Sequence, residues 1–232
     1  MPVSKLTIAV PVYNERERVA AAMKELLSTP LPVETEVIVV DDGSVDGTWE
    51  QLVHLALPDS VRLIRHERNR GKGAALRTAL EVATGDVFVP FDADLEYDAS
   101  DLAACLAPLI RDDTDVVYGT RAFGSHTAFS FWFVMGNKLL ALWANVLFNC
   151  YISDLETCYK MVRTDVMRAL GLRSDDFDIE AEITAKLLRA GHRPYEVPIN
   201  YKARTRAQGK KIQWQDGIHA LWVIARIRLT GN

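Results

Sequence analysis

Asp92, Asp94 and Glu96 stand two residues apart in FVPFDADLEY, where a strand-like apolar run from Phe88 stops in acid. A second pair, Asp41 and Asp42, ends the earlier apolar run EVIVVDDGS. Carboxylates clustered in a cleft repel one another and raise some of their pKa values unless a cation is present. A divalent ion removes that conflict. Oxygen donors with few other ligand types suit Mg2+ or Mn2+, which keep open positions for substrate phosphates. A D-x-D triplet by itself is more often a solvated turn, and its place at a strand end is what makes it a ligand candidate.

Neighbouring motifs carry less. DDGSVDG also reads as a turn with a helix cap, and Asp46 belongs to that reading. NRGKGAAL is glycine-rich ahead of a helix, where backbone amides can meet a phosphate, but it matches neither GxxxxGK[ST] nor GxGxxG. His54, His66, His126, His192 and His219 lack metal-ligand spacing, and no GxSxG elbow occurs.

Bringing the acids together requires elements whose ends meet. LTIAVPVYN, EVIVVDDGS, VRLIRHE, DVFVPFDAD and DVVYGTR read as short buried strands, each stopped by polar residues. Helical patterns fill the gaps over residues 18–27, 48–57, 72–83 and 99–110. This alternation predicts an α/β fold, a mostly parallel sheet of right-handed βαβ units with helices on both faces. Ligands then bind at the carboxyl ends of the strands, so both acid pairs are expected to line one crevice. Beyond Arg121 the pattern is less regular, with an aromatic segment, a helix over residues 179–190 and the basic loop YKARTRAQGKK.

The aromatic segment FSFWFVMGNKLLALWANVLFNCYI is interrupted by Asn137, Lys138, Asn145 and Asn149, so it lacks a clean span of about 20 apolar residues. From Leu139 its spacing is helical, which fits either an amphipathic helix on a bilayer surface or a buried core helix. The chain of 232 residues, 49% hydrophobic and 25% charged, suits one globular domain, with or without a short appendage. A net charge of -4 argues against a nucleic-acid binder. Three cysteines without a CxxC pair, and a start, MPVSKLTIAV, without a secretory pattern, predict a reduced, cytoplasmic setting.

Taken together, VPVYNE, VDDGS, NRGKGAAL, DAD and YGTR resemble family 2 glycosyltransferases with the GT-A fold. SDLETCYKMVRTDVM, FDIEAEITAKLLRAG and EVPINYKARTRAQGKKIQWQDGIHALW are similar to polyprenyl-phosphate sugar transferases of the dolichol-phosphate mannose or glucose synthase type. The resemblance implies one GT-A domain over residues 1–232 with a Rossmann-like central sheet, residues 1–121 serving the nucleotide sugar and 122–232 the acceptor. It implies an inverting transfer from GDP-mannose or UDP-glucose to a polyprenyl phosphate, on the cytoplasmic membrane face through peripheral contact.

By that likeness Pro11, Tyr13, Glu15 and Asp41 hold the base and ribose, with Asp42 and Lys72 supporting the donor pocket. Asp92, Ala93, Asp94 and Glu96 approach the metal and the diphosphate; many relatives carry Gln at the position of Glu96. Arg121 meets the acceptor phosphate. The loop that follows reads AFGSHTAFSFWFVMGNK, where only His126 and Lys138 can replace the further arginines of some relatives. Arg204, Arg206, Lys210 and Lys211 lie in a loop able to close over the diphosphate and exclude water. The long hydrophobic C-terminal anchor of some relatives has no counterpart up to ARIRLTGN, so Arg226 and Arg228 on a final amphipathic helix are expected to assist peripheral attachment.

An ionised lipid phosphate needs no strong general base. Two other readings stay open at this point. A soluble acceptor would need a base, for which Asp154, Glu156, Asp178 and Glu180 are the candidates. A non-catalytic subunit would bind the nucleotide sugar without turnover, against which the intact D-x-D argues. The aromatic surface between Phe129 and Phe148 would meet a bilayer or a second subunit.

Overall fold

A computed structural model describes residues 2–125, 130–203 and 214–231. Its elements run β1 (Lys5–Val12), α1 (Val19–Ser28), β2 (Glu34–Asp41), α2 (Thr48–His54), β3 (Val61–Arg65), α3 (Lys72–Val82), β4 (Val87–Pro90), α4 (Asp101–Ile110) and β5 (Val116–Thr120). They continue as α5 (Phe131–Phe148), β6 (Lys160–Arg163), α6 (Thr164–Ala169), α7 (Ile179–Arg189), β7 (Tyr195–Pro198) and α8 (Trp214–Thr230). The strands form one seven-stranded sheet in the order β3-β2-β1-β4-β6-β5-β7. All pairs are parallel except the two made by β6, which runs antiparallel to β4 and to β5. The predicted α/β class and mostly parallel sheet are therefore observed.

Both faces of the sheet are covered, as continuous apolar strands require. Alternate residues go to opposite sides. Leu6, Ile8, Val10, Val37, Val39, Val87 and Val89 pack with Met23 and Leu26 of α1 and Leu102 and Leu106 of α4. Ala9, Ile38, Val40 and Phe88 pack on the other face with Leu76 and Ala79 of α3 and Ile183 and Leu187 of α7. Each fully buried Val, Leu, Ile or Phe contributes about 1.5–3 kcal/mol before the entropy of ordering it is counted. A third cluster joins α7 to α5 and α8 through Ala181, Ala185, Leu140, Ala144, Ile224 and Ile227.

Three helix boundaries differ from the periodicity. The helix predicted to Leu57 stops at His54, because Pro58 pushes the residue before it out of the helical region. The helix predicted from Ala99 begins at Asp101, after Asp98 Oδ1 has engaged the amide and hydroxyl of Ser100. The aromatic helix starts at Phe131 rather than Leu139. Asn137 and Lys138 break the apolar pattern there, but Asn137 turns inward and donates to Asp154 Oδ1 at 2.8 Å.

The parallel strands bring the carboxyl ends of β1, β2, β4 and β5 to one edge, and the reversed β6 starts at that same edge. Lys160, the first residue of β6, is thereby placed beneath the strand ends.

Candidate active site

A cavity of about 1090 Å³ opens at this edge. Pro11, Val12 and Tyr13 line it from β1 and the residue after it, Asp42 from the end of β2, Asp92 to Glu96, Leu95 excepted, from the turn after β4, and Arg121 from the end of β5. Glu15, Lys72, Ala93 and Lys138 also line it, as do Asp154, Glu156 and Glu180 of the base candidates, whereas Asp41 and Asp178 are not brought to the cavity. Asp41 is fully buried, 3.2 Å from Arg65 Nε. Burial raises its pKa, with Ser44 and Arg65 acting in the opposite direction. Arg204, Arg206, Lys210, Lys211 and His126 lie outside the described residues.

Asp42 anchors the floor. Its Oδ1 lies 2.6 Å from His66 Nδ1, and its carboxylate accepts the amides of Arg70, at 2.9 Å, and Gly71, at 2.8 Å. Two amides of the glycine-rich segment, those of Arg70 and Gly71, are thus occupied by Asp42 rather than free for a phosphate. Gly71 is required by the packing: its φ is +94°, and a Cβ there would stand 2.1 Å from the Asp175 carbonyl oxygen. His66, whose spacing excluded metal ligation, is a buried partner of Asp42. Asp46 accepts the amides of Thr48, at 2.9 Å, and Arg16, at 3.1 Å, which agrees with a turn-and-cap role.

A chain of alternating charges crosses beneath the cavity. Lys72 Nζ donates to Asp92 Oδ2 at 2.9 Å and lies 3.1 Å from Glu180 Oε1. Glu180 Oε2 accepts Lys160 Nζ at 2.6 Å, and Lys160, fully buried, also donates to the Thr157 carbonyl oxygen at 2.6 Å. Burial opposes the Lys72 charge, but Asp92 and Glu180 more than offset it and its pKa stays well raised. Lys160 was not foreseen. Standing inside the apolar run CYKMV, it carries no motif signal, and only a buried partner from α7 makes its burial tolerable.

The acid turn itself is strained. Leu95 adopts a left-handed φ of 64° between Asp94 and Glu96, a conformation that a branched residue rarely takes outside functional or tightly constrained sites. Asp94 Oδ1 accepts the Glu96 amide at 3.0 Å, closing the turn. The Glu96 side chain accepts the Tyr201 hydroxyl, and the Lys202 amide donates to the Glu96 carbonyl at 2.8 Å. The segment leading from β7 toward the basic loop is therefore tied to the acid turn.

Arg121 is engaged as well. Its Nε and Nη2 meet the two Asp154 oxygens at 2.7 Å each, and its guanidinium lies over the Tyr201 ring, 4.9 Å from the centroid. Burial works against the charge of both partners, and their mutual attraction lowers the Asp154 pKa and raises that of Arg121. Of the other base candidates, Glu180 sits between two lysines, and Asp178 lies 3.6 Å from His219. Glu156 differs. It lines the cavity with Oε1 shielded from solvent and without a hydrogen-bond partner among the described residues, and burial lifts its pKa to about 7.

Past Arg121 the lining becomes apolar, with Trp132, Leu139 and Leu140 of α5 facing Ile218, Ala220 and Leu221 of α8. Phe131, Trp132, Leu139, Leu142 and Val146 leave much of α5 exposed and hydrophobic, as Trp222 does on α8. Arg226 and Arg228 of α8 stack on Trp222 and Phe148. Among the described residues no helix is long and apolar enough to cross a membrane.

Among the described residues no three His, Cys, Asp or Glu side chains gather as a ready metal cage. Asp92 and Asp94 reach the cavity from one strand end, which fits a Mg2+ or Mn2+ ion held by one or two carboxylates and completed by substrate phosphates rather than by protein alone.

Comparison with known proteins agrees with this architecture. The chain is 27% identical over 210 residues to the dolichol-phosphate mannosyltransferase of Pyrococcus furiosus, covering 89% of this chain and 59% of that one. It is 32% identical over 126 residues to a dodecaprenyl-phosphate galacturonate synthase of Rhizobium johnstonii, covering 50% of this chain and 36% of the relative. The chain thus spans little more than half the length of the first of these relatives and about a third of the second. Among solved structures, the glucosyl-3-phosphoglycerate synthase of Mycobacterium tuberculosis, crystallised with Mn2+, UDP and glucosyl-3-phosphoglycerate, superimposes with a TM-score of 0.70 at 17% identity over 97% of this chain and 80% of that one. A mannosyltransferase from Pyrobaculum calidifontis, crystallised with GDP-Man and Mn2+, gives 0.60 at 19% identity over 99% and 71%. The profile of glycosyl transferase family 2 matches residues 7–171. The chain belongs to glycosyl transferase family 2 and has its GT-A fold.

Proposed function

We propose that this chain transfers a hexose from a nucleotide sugar to the phosphate of a polyprenyl lipid, inverting the anomeric centre. The observation that carries the reading is the continuity of one cavity from the acid strand ends to the apolar faces of α5 and α8. A polar, anionic donor and a greasy phosphate meet in such a space. Similarity to a named dolichol-phosphate mannosyltransferase along 89% of the chain supports the same acceptor class.

In this reading Pro11, Tyr13 and Glu15 receive the nucleoside, and Asp42 fixes the loop beneath it. Asp92 and Asp94 would hold Mg2+ or Mn2+ against the diphosphate, with Glu96 bracing the turn or completing the ligand set. The metal, when bound, offsets negative charge growing on the leaving nucleoside diphosphate. Lys72 adds a second cation from the opposite wall. An acceptor phosphate oxygen attacks the anomeric carbon, the bond to the diphosphate oxygen breaks, and the nucleoside diphosphate departs with the electron pair. Arg121 and Lys138 orient the acceptor, so positioning and preset charge supply the rate. Arg204 and Lys210 would cover the diphosphate. Residues 1–121 serve the donor and 122–232 the acceptor, and the exposed apolar side chains of α5 and α8 rest on the cytoplasmic membrane surface.

A second reading has one observation in its favour. Arg121 and Lys72 are each already paired with carboxylates, which leaves the acceptor side poor in uncommitted positive charge among the described residues. A hydroxyl acceptor would need less. Turnover with Mn2+ or Mg2+, offering GDP-mannose and UDP-glucose with and without a short polyprenyl phosphate, separates the two. Lipid product from one donor supports the first reading; metal-dependent donor binding without lipid product moves the search to soluble acceptors.

A further inference from the structure

Glu156 stands where the two paired charge systems of the cavity approach each other. On one side is Lys160 with Glu180, from β6 and α7; on the other is Arg121 with Asp154, at the end of β5 and in the segment before β6. These four are the charged groups that act most strongly on Glu156, and Lys72, Asp92 and Lys138 line the same cavity. Each cation of the four already has a carboxylate within 2.7 Å. Among the described residues no lysine or arginine forms an ion pair with Glu156, although Lys160 and Arg121 act on it from a distance, and its backbone amide donates to the Asn137 side chain at 3.3 Å. Its Oε1 is shut off from water and from donors, while the residue as a whole lines the cavity.

An oxygen so placed is tolerable as the carbonyl of a carboxylic acid and costly as half of a carboxylate. The proton then belongs on the other oxygen. We propose that Glu156 acts as a hydrogen-bond donor to the acceptor phosphate, binding in its neutral form to an unesterified oxygen that does not attack the sugar. This rests on the polyprenyl-phosphate reading above and deepens it. It also answers the shortage of free cations: a neutral donor holds a phosphate where an ionised glutamate would repel it. Buried acids kept neutral for this purpose are a known device in other active sites.

Burial sets the Glu156 pKa at about 7, and an entering dianion shifts it further upward by like-charge repulsion. Binding of the acceptor therefore weakens as pH rises through that value. With the unaltered chain, Mn2+ and saturating nucleotide sugar, kcat/KM for a short polyprenyl phosphate is expected to fall toward tenfold per pH unit above about 7. Glu156→Gln, whose amide still donates, keeps lipid transfer and loses that alkaline fall. Glu156→Ala raises the acceptor KM about tenfold at pH 6, the value of one lost hydrogen bond, and leaves donor binding intact. A Glu156→Gln profile identical to that of the unaltered chain overturns the assignment. So does loss of turnover in Glu156→Gln by a hundredfold or more at every pH, which would make Glu156 a proton acceptor. Absence of lipid product from the unaltered chain at every pH overturns the parent reading and this one with it, whereas the first two outcomes leave the parent reading standing.

Discussion

The two ends of the central sheet both carry carboxylates, and the two sets are in opposite condition. At the amino ends, Glu36 accepts the Thr7 hydroxyl, the Thr84 amide and hydroxyl, and the Gly85 amide, with Lys5 at 3.5 Å. Asp86 accepts the Ser4 amide and hydroxyl and the Lys5 amide. These acids are saturated and bind the strands together. At the carboxyl ends, among the described residues, Asp92 has one lysine partner and Glu156 has an oxygen without any, and both line the cavity. One fold thus uses the same residue type as glue at one edge and, at the other, as groups with fewer partners that face the cavity.

That contrast is most exposed to failure at Asp94. Asp94→Ala should lower turnover by roughly 10³-fold, the scale of losing one preset electrostatic stabiliser, and abolish metal-dependent donor binding while the melting temperature stays within about 2 °C. A variant that melts early and still turns over would place Asp94 with the structural acids instead.

Asp154 marks where the division is not simply top against bottom. It sits at the functional edge yet neutralises buried Arg121 through two 2.7 Å bonds. Asp154→Ala leaves that guanidinium uncompensated and should cost about 3 kcal/mol of stability, measured by urea unfolding. An unchanged midpoint would mean that Arg121 turns freely to the cavity, and would strengthen its role as a direct phosphate ligand.

The apolar end of the cavity is predicted to respond to lipid alone. Trp132→Ser should raise the KM for a long polyprenyl phosphate about tenfold through lost apolar burial. The KM for the nucleotide sugar should not change, and a truncated isoprenoid phosphate should show a smaller effect. An equal loss for donor and acceptor would remove the distinction between the two ends of the cavity.

Which of these features the sequence discloses follows from how local their signals are. The strands through Thr120 are legible because short, continuous β-branched or aromatic runs and their polar stops lie close together in the chain. The D-x-D is legible because it sits where a strand must end. Lys160 is not: its partner Glu180 comes from another helix, and a lysine in an apolar run reads as an interruption. The first turns of α5 are hidden by Asn137 and Lys138, although Asn137 is an inward-facing polar contact. Asp154 and Glu156 look alike in SDLETCYK, and only the fold makes one the partner of an arginine and leaves the other short of donors.

The smallest expected effect tests the saturated end by pH. Burial alone would raise the Glu36 pKa, but its hydrogen bonds to Thr7 and Thr84 bring it down to about 2 from 4.5. A carboxylate depressed on folding contributes stability that is complete above the unfolded value and is lost as pH falls from 4.5 toward 2. Glu156 has the reverse sign: raised to about 7, it makes folding less favourable as pH climbs from 4.5 to that value. Glu36→Gln should therefore cost about 1 kcal/mol at pH 7, flatten the acid limb of the melting-temperature profile and leave turnover unchanged. Glu156→Gln should remove only the decline in stability between pH 4.5 and about 7. If Glu36→Gln left the acid limb as steep as before, the amino-end carboxylates would not be the groups whose protonation unfolds the sheet, and the contrast between its two edges would lose its thermodynamic half.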